Sequence, residues 1–135
     1  MTIQGISHIT FVVKDLERTA TLFREGLGAV EVYDSAAKNF SQSREKFFML
    51  GGTWLAIMEG EPSAQRSYRH LAFKVNDTDL EDFEARLLAL GVEVKAPRPR
   101  IPGEGRSLYF YDFDNHLFEL HTGTLEVRLE SYAAL

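Results

Sequence analysis

The feature that most constrains this chain is an internal repeat. Residues 7–15 and 69–77 share the pattern x-His-apolar-x-Phe-x-Val-x-Asp, which places His8 and His70 at equivalent positions 62 residues apart (70 − 8 = 62). Each copy continues into an amphipathic stretch, a Leu-Gly break and the tripeptide Val-Glu-Val. A period of about 60 residues is longer than that of solenoid repeats, so two copies predict a pair of folded modules.

Each copy is predicted to form one strand, one helix and three further strands. The first strands alternate apolar and other residues, as a half-buried strand does. The stretches 16–27 and 80–90 carry apolar residues at helical spacing, and Gly28 and Gly91 stand where a left-handed C-cap is needed. The predicted fold class is α+β, with two βαβββ modules at about 4–62 and 66–125, forming a single domain over residues 1–135 with a short C-terminal tail.

The starts of the two helices carry capping signals. Asp15 precedes the first apolar stripe and is predicted to be its N-cap. Thr78 and Glu81 have the spacing of a capping box before the second stripe.

Composition excludes several classes of protein. The 135 residues are enough for one ordinary domain, and the absence of cysteine excludes disulfides, thiolate metal sites and cysteine nucleophiles. A net charge of −5 argues against nucleic-acid binding. With neither a long apolar run nor a signal-peptide pattern, we expect no membrane partner and a cytoplasmic location.

Strand alternation gathers polar side chains on one face. If the helices cover the odd-numbered face of both first strands, His8, Thr10 and His70 point the other way, and the same reasoning adds Tyr109 and Glu119. Two imidazoles and one carboxylate form a set with open positions for Mn²⁺, Fe²⁺ or another divalent ion. Two alternatives stay open: His121 shares the face of Glu119 and can serve as the ligand instead, or the histidines are hydrogen-bonded core residues.

The segment 95–105 has no clear period and holds three of the four prolines. Arg98, Arg100 and Arg106 lie in or next to it, an arrangement suited to a small anion or to an ordinary solvated loop. Ordered loops of this length tend to carry function.

Four stretches carry a resemblance to a known family: residues 5–10, 68–73, 103–112 and 114–123. In combination they resemble the vicinal oxygen chelate superfamily, and within it the fosfomycin-resistance enzymes. The resemblance implies Mn²⁺, or another divalent metal, bound by His8, His70 and Glu119. It also implies a strand-exchanged homodimer in which His8 comes from one chain and the other two ligands come from its partner.

The segment 40–48 resembles the branch of these enzymes that adds water to the epoxide of fosfomycin. This resemblance implies that Glu45 is the general base, although composition alone favours an ordinary charged strand end.

The resemblance also implies a substrate site. Its members would be Thr10, Ser107, Tyr109 and Arg128 at the phosphonate, Tyr68 and Trp54 at the pocket wall, and Arg98, Arg100 or Arg106 in place of a basic loop residue of the relatives. The thiol-transferring relatives also bind potassium near the loop matching 104–107, and differences in that loop leave a potassium site open.

Three other functions compete with hydrolysis of fosfomycin. A thiol (glutathione) transferase would use the same scaffold, and Glu45 argues against it. A non-catalytic drug-sequestering protein would need no open metal site. A ring-cleaving dioxygenase would use similar ligands with Fe²⁺, usually in a larger chain.

Overall fold

The computed structural model describes residues 1–36, 38 and 43–135. The first part of the segment 40–48 therefore lies outside the described residues. The chain divides into two compact units, residues 1–64 and 65–135. Within the described residues, each unit contains one four-stranded sheet.

The first unit has the order β-α-β-β-β. Its elements are β1 (His8–Val13), α1 (Leu16–Thr21), β2 (Val30–Asp34), β3 (Glu45–Leu50) and β4 (Thr53–Glu59). The strands lie in the order β1-β4-β3-β2, with β1 parallel to β4 and the other pairs antiparallel. The predicted helix 16–27 is divided, since α1 continues as a π-helical turn, Leu22–Gly26.

The second unit repeats this topology. Its elements are β5 (His70–Lys74), α2 (Leu80–Ala89), β6 (Glu93–Lys95), β7 (Ser107–Tyr111), β8 (Leu117–His121) and α3 (Leu125–Ala133). The strands lie in the order β5-β8-β7-β6, with β5 parallel to β8. The predicted α+β class and the two βαβββ modules are confirmed, while the end of the chain, expected to be a short tail, forms helix α3.

The predicted faces of the first strands are also confirmed. In β1, Ile9, Phe11 and Val13 are buried or half-buried, whereas His8 and Thr10 are exposed. A hydrophobic core of Val13, Leu16, Phe23, Phe48 and Ile57 lies on the helix-covered face of the first sheet. In the second unit the equivalent core contains Leu80, Leu87, Phe110 and Phe118.

The two predicted helix starts have different outcomes. The Asp15 carboxylate accepts a hydrogen bond from the Arg18 N–H at 3.0 Å, which confirms this N-cap. The capping box of Thr78 and Glu81 is wrong, because a 3₁₀ turn covers Asp77–Asp79 and α2 begins without a side-chain cap. The Glu81 carboxylate instead accepts a hydrogen bond from Arg106 at 2.7 Å.

The glycine C-caps are confirmed. Gly28 and Gly91 follow their helices with φ of +77° and +82°, a conformation that side chains with a Cβ adopt only at a cost.

Candidate metal and anion site

The register of the second sheet brings five polar side chains to one face. Glu119 on β8 lies opposite Tyr109 on β7 and beside Ala72 on β5, while Ser107 lies opposite His121. His70 is one row away, opposite Leu117, and paired residues project from the same side of a sheet. The predicted common face of His70, Tyr109 and Glu119 is therefore confirmed by the pairing.

His70 and Glu119 form the chemical centre of this face. The His70 Nδ1–H donates to the Tyr68 carbonyl at 2.7 Å, so the lone pair of the neutral ring is on Nε2. This Nε2 atom lies 3.1 Å from the Oε1 atom of Glu119, whose side chain is only 7% exposed. Two acceptors at this separation repel each other unless a cation, either a proton or a metal ion, lies with them.

Ser107 and His121 hold the other oxygen of Glu119. The Ser107 hydroxyl donates to Oε2 at 2.5 Å and accepts from the His121 Nδ1–H at 2.7 Å. The His121 Nε2 then accepts from Arg128 at 3.2 Å. Burial lowers the pKa of His121, which favours this neutral ring. Since both of its ring nitrogens bond to protein groups, His121 fits a supporting role for Glu119 better than the alternative role of ligand.

Arg100 brings a positive charge to the same place. It is 12% exposed, and its Nη2 group donates to the Tyr109 hydroxyl at 3.1 Å and lies 3.5 Å from Glu119. Its Nη1 group is buried and finds no hydrogen-bond partner among the described residues. A buried, unsatisfied donor is costly, so an anion bound here would relieve this cost.

The cleft in front of these residues has a volume of about 390 Å³. Its lining includes Tyr68, His70, Arg98, Arg100, Tyr109, Glu119, His121 and Arg128. Three guanidinium groups against one carboxylate at the sheet face suit a small, multiply charged anion. Burial, together with a hydrogen bond to Tyr68, raises the pKa of Tyr109, so this phenol stays protonated.

The loop that carries Arg98 and Arg100 is fixed to helix α3 through Glu104. Its carboxylate accepts from the Tyr132 hydroxyl at 2.6 Å, from the Ile101 N–H at 2.8 Å and from Arg98 at 3.4 Å. The hydrogen bond from Tyr132, with the one from the Ile101 amide, lowers the pKa of Glu104 to about 2. Ser131 of α3 also donates to the Pro102 carbonyl. Glu104 belongs to the segment 104–107, near which the resemblance left a potassium site open. Its carboxylate is bonded to protein donors.

Arg106 is not brought into this cleft. Its guanidinium donates to Asp77 and Glu81 at 2.8 and 2.7 Å, and it lines a separate cavity of about 360 Å³. The sequence could not indicate which loop arginine faces Glu119, since the segment has no periodicity. Arg100 differs from Arg106 in that its buried Nη1 group has no hydrogen-bond partner among the described residues.

The other predicted residues lie on the first unit. His8 pairs with Trp54 across β1 and β4, and their rings lie 4.2 Å apart between centroids. Ser7 Oγ lies 3.0 Å from His8 Nδ1, and in the tautomer in which Nδ1–H donates to this hydroxyl, the lone pair of Nε2 is left for a ligand. The register places Thr10, and Glu45 on β3, on the same face as His8.

Among the residues that the structure describes, no group of three or more His, Asp or Glu side chains is arranged to hold a metal ion. None of the helices in the described residues is long and apolar enough to span a membrane.

The sequence also matches a known family. The model of the Glyoxalase/Bleomycin resistance protein/Dioxygenase superfamily matches residues 5–120. The fosfomycin resistance protein FosX of Listeria monocytogenes is 53% identical over 130 residues, which cover 96% of this chain and 98% of that protein. The metallothiol transferase FosB of Shouchella clausii is 35% identical over 136 residues, covering 96% of this chain and 88% of that protein.

A solved structure shows the same fold. It is a glutamate-to-glutamine variant of FosX from Listeria monocytogenes, complexed with Mn(II) and 1S,2S-dihydroxypropylphosphonic acid. The two structures superpose with a TM-score of 0.88 at 50% identity, covering 97% of this chain and 99% of the other.

Proposed function

Since this chain belongs to the Glyoxalase/Bleomycin resistance protein/Dioxygenase superfamily, we propose that it is an Mn²⁺-dependent enzyme that hydrolyses the epoxide ring of fosfomycin to a diol and so confers resistance to the antibiotic. One observation carries the proposal: a His–Glu pair that requires a cation lies beside an unsatisfied buried arginine, in a chain similar to a structure that holds Mn(II) and a dihydroxypropylphosphonic acid. A vicinal diol of this kind is what the addition of water to the epoxide yields.

His8, His70 and Glu119 are the proposed metal ligands. The donor set fits Mn²⁺, which accepts imidazole and carboxylate ligands without thiolates. Each histidine has its Nδ1 occupied by a hydrogen bond, an arrangement that fixes the ring and leaves Nε2 for the metal. When bound, the ion supplies Lewis-acid stabilisation for the oxygen of the opening epoxide.

A second copy of the chain is the proposed source of the missing ligand. His8 belongs to the first unit, and His70 and Glu119 belong to the second. Several apolar side chains are exposed in the single chain, as expected of surfaces that another copy covers. Among them are Ile6, Val30, Val32, Leu125 and Leu129, with exposures of 75, 62, 56, 65 and 56%.

The phosphonate is the group that the arginines are proposed to bind. Arg100 offers its unsatisfied Nη1, and Arg98 and Arg128 line the same cleft. Thr10 and Tyr109 are the proposed hydroxyl donors to the phosphonate, with Tyr68 and Trp54 as the proposed pocket wall. The hydroxyl proton of Ser107, the third predicted donor, already goes to Glu119. Arg106 has its donors engaged by Asp77 and Glu81, so Arg100 replaces it in this proposal.

Glu45 is the proposed general base. Its carboxylate takes a proton from water while the water oxygen bonds to one epoxide carbon. The carbon–oxygen bond on the attacked side breaks and the ring oxygen keeps the electron pair. The proton that Glu45 accepted is released to solvent water, which supplies a proton to the ring oxygen. The product has two neighbouring hydroxyl groups, and the phosphonate is unchanged.

The test follows the phosphorus NMR signal of fosfomycin after the protein is stripped of metal and reloaded with Mn²⁺. We expect a diol in the absence of thiol and little reaction without metal. A product that forms only with glutathione would replace hydrolysis by thiol transfer, the activity named for FosB, a more distant relative. Stoichiometric binding without any product would indicate sequestration.

A further inference from the structure

Lys46 is a charged residue in a buried position. It lies on β3 next to Glu45, and only 4% of its surface is exposed. Its Nζ lies 3.0 Å from Glu31, 3.3 Å from Glu17 and 3.5 Å from Asp34. Burial alone would lower the pKa of Lys46, but its hydrogen bonds to Glu31 and Glu17 raise it above the ordinary value. The lysine is therefore fully charged and held on three sides.

Arg44, on the other side of Glu45 in the sequence, binds two of the same carboxylates. Its Nη2 lies 2.8 Å from Glu17 and 3.2 Å from Asp34. We call Glu17, Asp34, Arg44 and Lys46 the β3 ion cluster. It ties the start of β3 to helix α1 and to the end of β2, at the two residues that flank the proposed base.

Strand geometry connects this cluster to Glu45. Successive side chains in a strand point to opposite faces, so Arg44 and Lys46 lie on the helix-covered face and Glu45 lies on the face that carries His8. The Glu45 backbone is bonded as well: its N–H donates to the Ser35 hydroxyl, and its carbonyl accepts from the Ser35 N–H, both at 3.0 Å.

We propose that the β3 ion cluster positions Glu45 for catalysis by fixing the backbone direction on both sides of it. The inference rests on the proposed function, since the cluster can position Glu45 for catalysis only if Glu45 is the general base. Buried ion pairs are often no more stabilising than apolar residues of similar volume, so stability alone does not account for a lysine here. Directional bonds to α1 and β2 give β3 one register and one twist at Glu45.

The test compares Lys46→Met with the wild type in the Mn²⁺-loaded enzyme. We expect kcat for diol formation to fall about tenfold to a hundredfold, the cost of a base displaced by about 1 Å. The KM and the affinity for Mn²⁺ should stay within about twofold, since Lys46 contacts neither the proposed ligands nor the arginine cleft. Lys46→Arg, which keeps the charge, should recover most of the rate.

A double-mutant cycle separates positioning from general damage. In a Glu45→Gln background there is no base left to position, so Lys46→Met should cause no further loss of the residual rate. An equal loss of kcat in both backgrounds, or an unchanged kcat in the single variant, would overturn the proposal. Failure of the wild type to form diol would instead remove the proposed function itself.

Two further variants keep the result interpretable. Arg66→Met removes an ion pair of similar length, Arg66 to Glu93 at 3.1 Å, which shares no partner with Lys46 or Arg44, and should change kcat by less than about twofold. If Lys46→Met does not fold, Glu17→Gln takes its place, because the Glu17 side chain is 59% exposed and contacts both cluster cations. Glu17→Gln should lower kcat in the wild-type background but not in the Glu45→Gln background. An equal effect of Glu17→Gln in both backgrounds, or no effect in either, would overturn the proposal.

Discussion

Glu45 is the residue on which hydrolysis depends in our proposal. Glu45→Gln keeps the shape of the side chain but removes its capacity to accept a proton, so diol formation should fall by about 10² to 10⁴. Affinity for Mn²⁺ should be unchanged, because Glu45 is not a proposed ligand. Phosphorus NMR of the product and electron paramagnetic resonance of free Mn²⁺ provide the two measurements. A variant that loses its metal would show that Glu45 has been assigned the wrong role.

Trp54 is expected to support a metal ligand through its ring. The indole packs against His8 at 4.2 Å between centroids, and residues that orient a ligand commonly change metal affinity by 10- to 100-fold. Trp54→Leu should therefore weaken Mn²⁺ binding about tenfold. Trp54→Phe keeps an aromatic face and serves as the matched control. Equal affinities of the two variants in a Mn²⁺ titration would rule out ring packing as the cause.

At the residue scale, what the sequence predicted depended on strand alternation. His70, Tyr109 and Glu119 were predictable as neighbours on one face because the two-residue period of a strand is a local property. Arg100 could not be selected, since its place beside Tyr109 depends on the path of a loop without any period. For the same reason the sequence could not show that Arg106 binds Asp77 and Glu81.

At the element scale, the sequence did not predict the start of α2 or the existence of helix α3. The Thr78–Glu81 spacing matches a capping box, yet tertiary contacts override it, because Arg106 binds the carboxylates of Asp77 and Glu81. Helix α3 was missed because none of its residues is buried in the chain by itself. Ser131 and Tyr132 hold the arginine loop through polar contacts, and the apolar Leu125 and Leu129 of this helix are exposed in the single chain.

The contact between α3 and the loop should give stability a specific pH dependence. The folded-state pKa of Glu104 is about 2, below its ordinary value of 4.5. Ionised Glu104 therefore stabilises the fold fully above about pH 4.5, and this contribution is lost as the pH falls towards 2. Glu104→Gln should be less stable than the wild type at pH 7, and the difference should shrink by pH 3.

Urea unfolding of both proteins at the two pH values measures this difference. Glu130→Gln is the matched control, since Glu130 is an exposed acid on helix α3, to which Glu104 is bonded. A difference that stays constant from pH 7 to pH 3 would mean that the Glu104 carboxylate is not preferentially ionised in the folded state.

For the molecule as a whole, the two modules differ at the position of the proposed carboxylate ligand. Ala56 occupies in β4 the place that Glu119 occupies in β8, since Ala56 pairs with Thr10 as Glu119 pairs with Ala72. In our proposal the carboxylate ligand therefore belongs to the second module and the base to the first. The proposed site needs both faces, and in our proposal strand exchange between two copies brings them together.

Mixing two inactive variants tests this arrangement directly. His8→Ala and Glu119→Ala should each abolish diol formation, because every site in either homodimer lacks a ligand. If the sites are shared, unfolding and refolding an equimolar mixture produces hybrid dimers with one intact and one doubly altered site, and about a quarter of the wild-type activity returns. A mixture of His70→Ala with Glu119→Ala is the control, because both ligands come from the same chain and no site is restored. Recovery in neither mixture, with dimers confirmed by sedimentation, would place all three ligands within one chain.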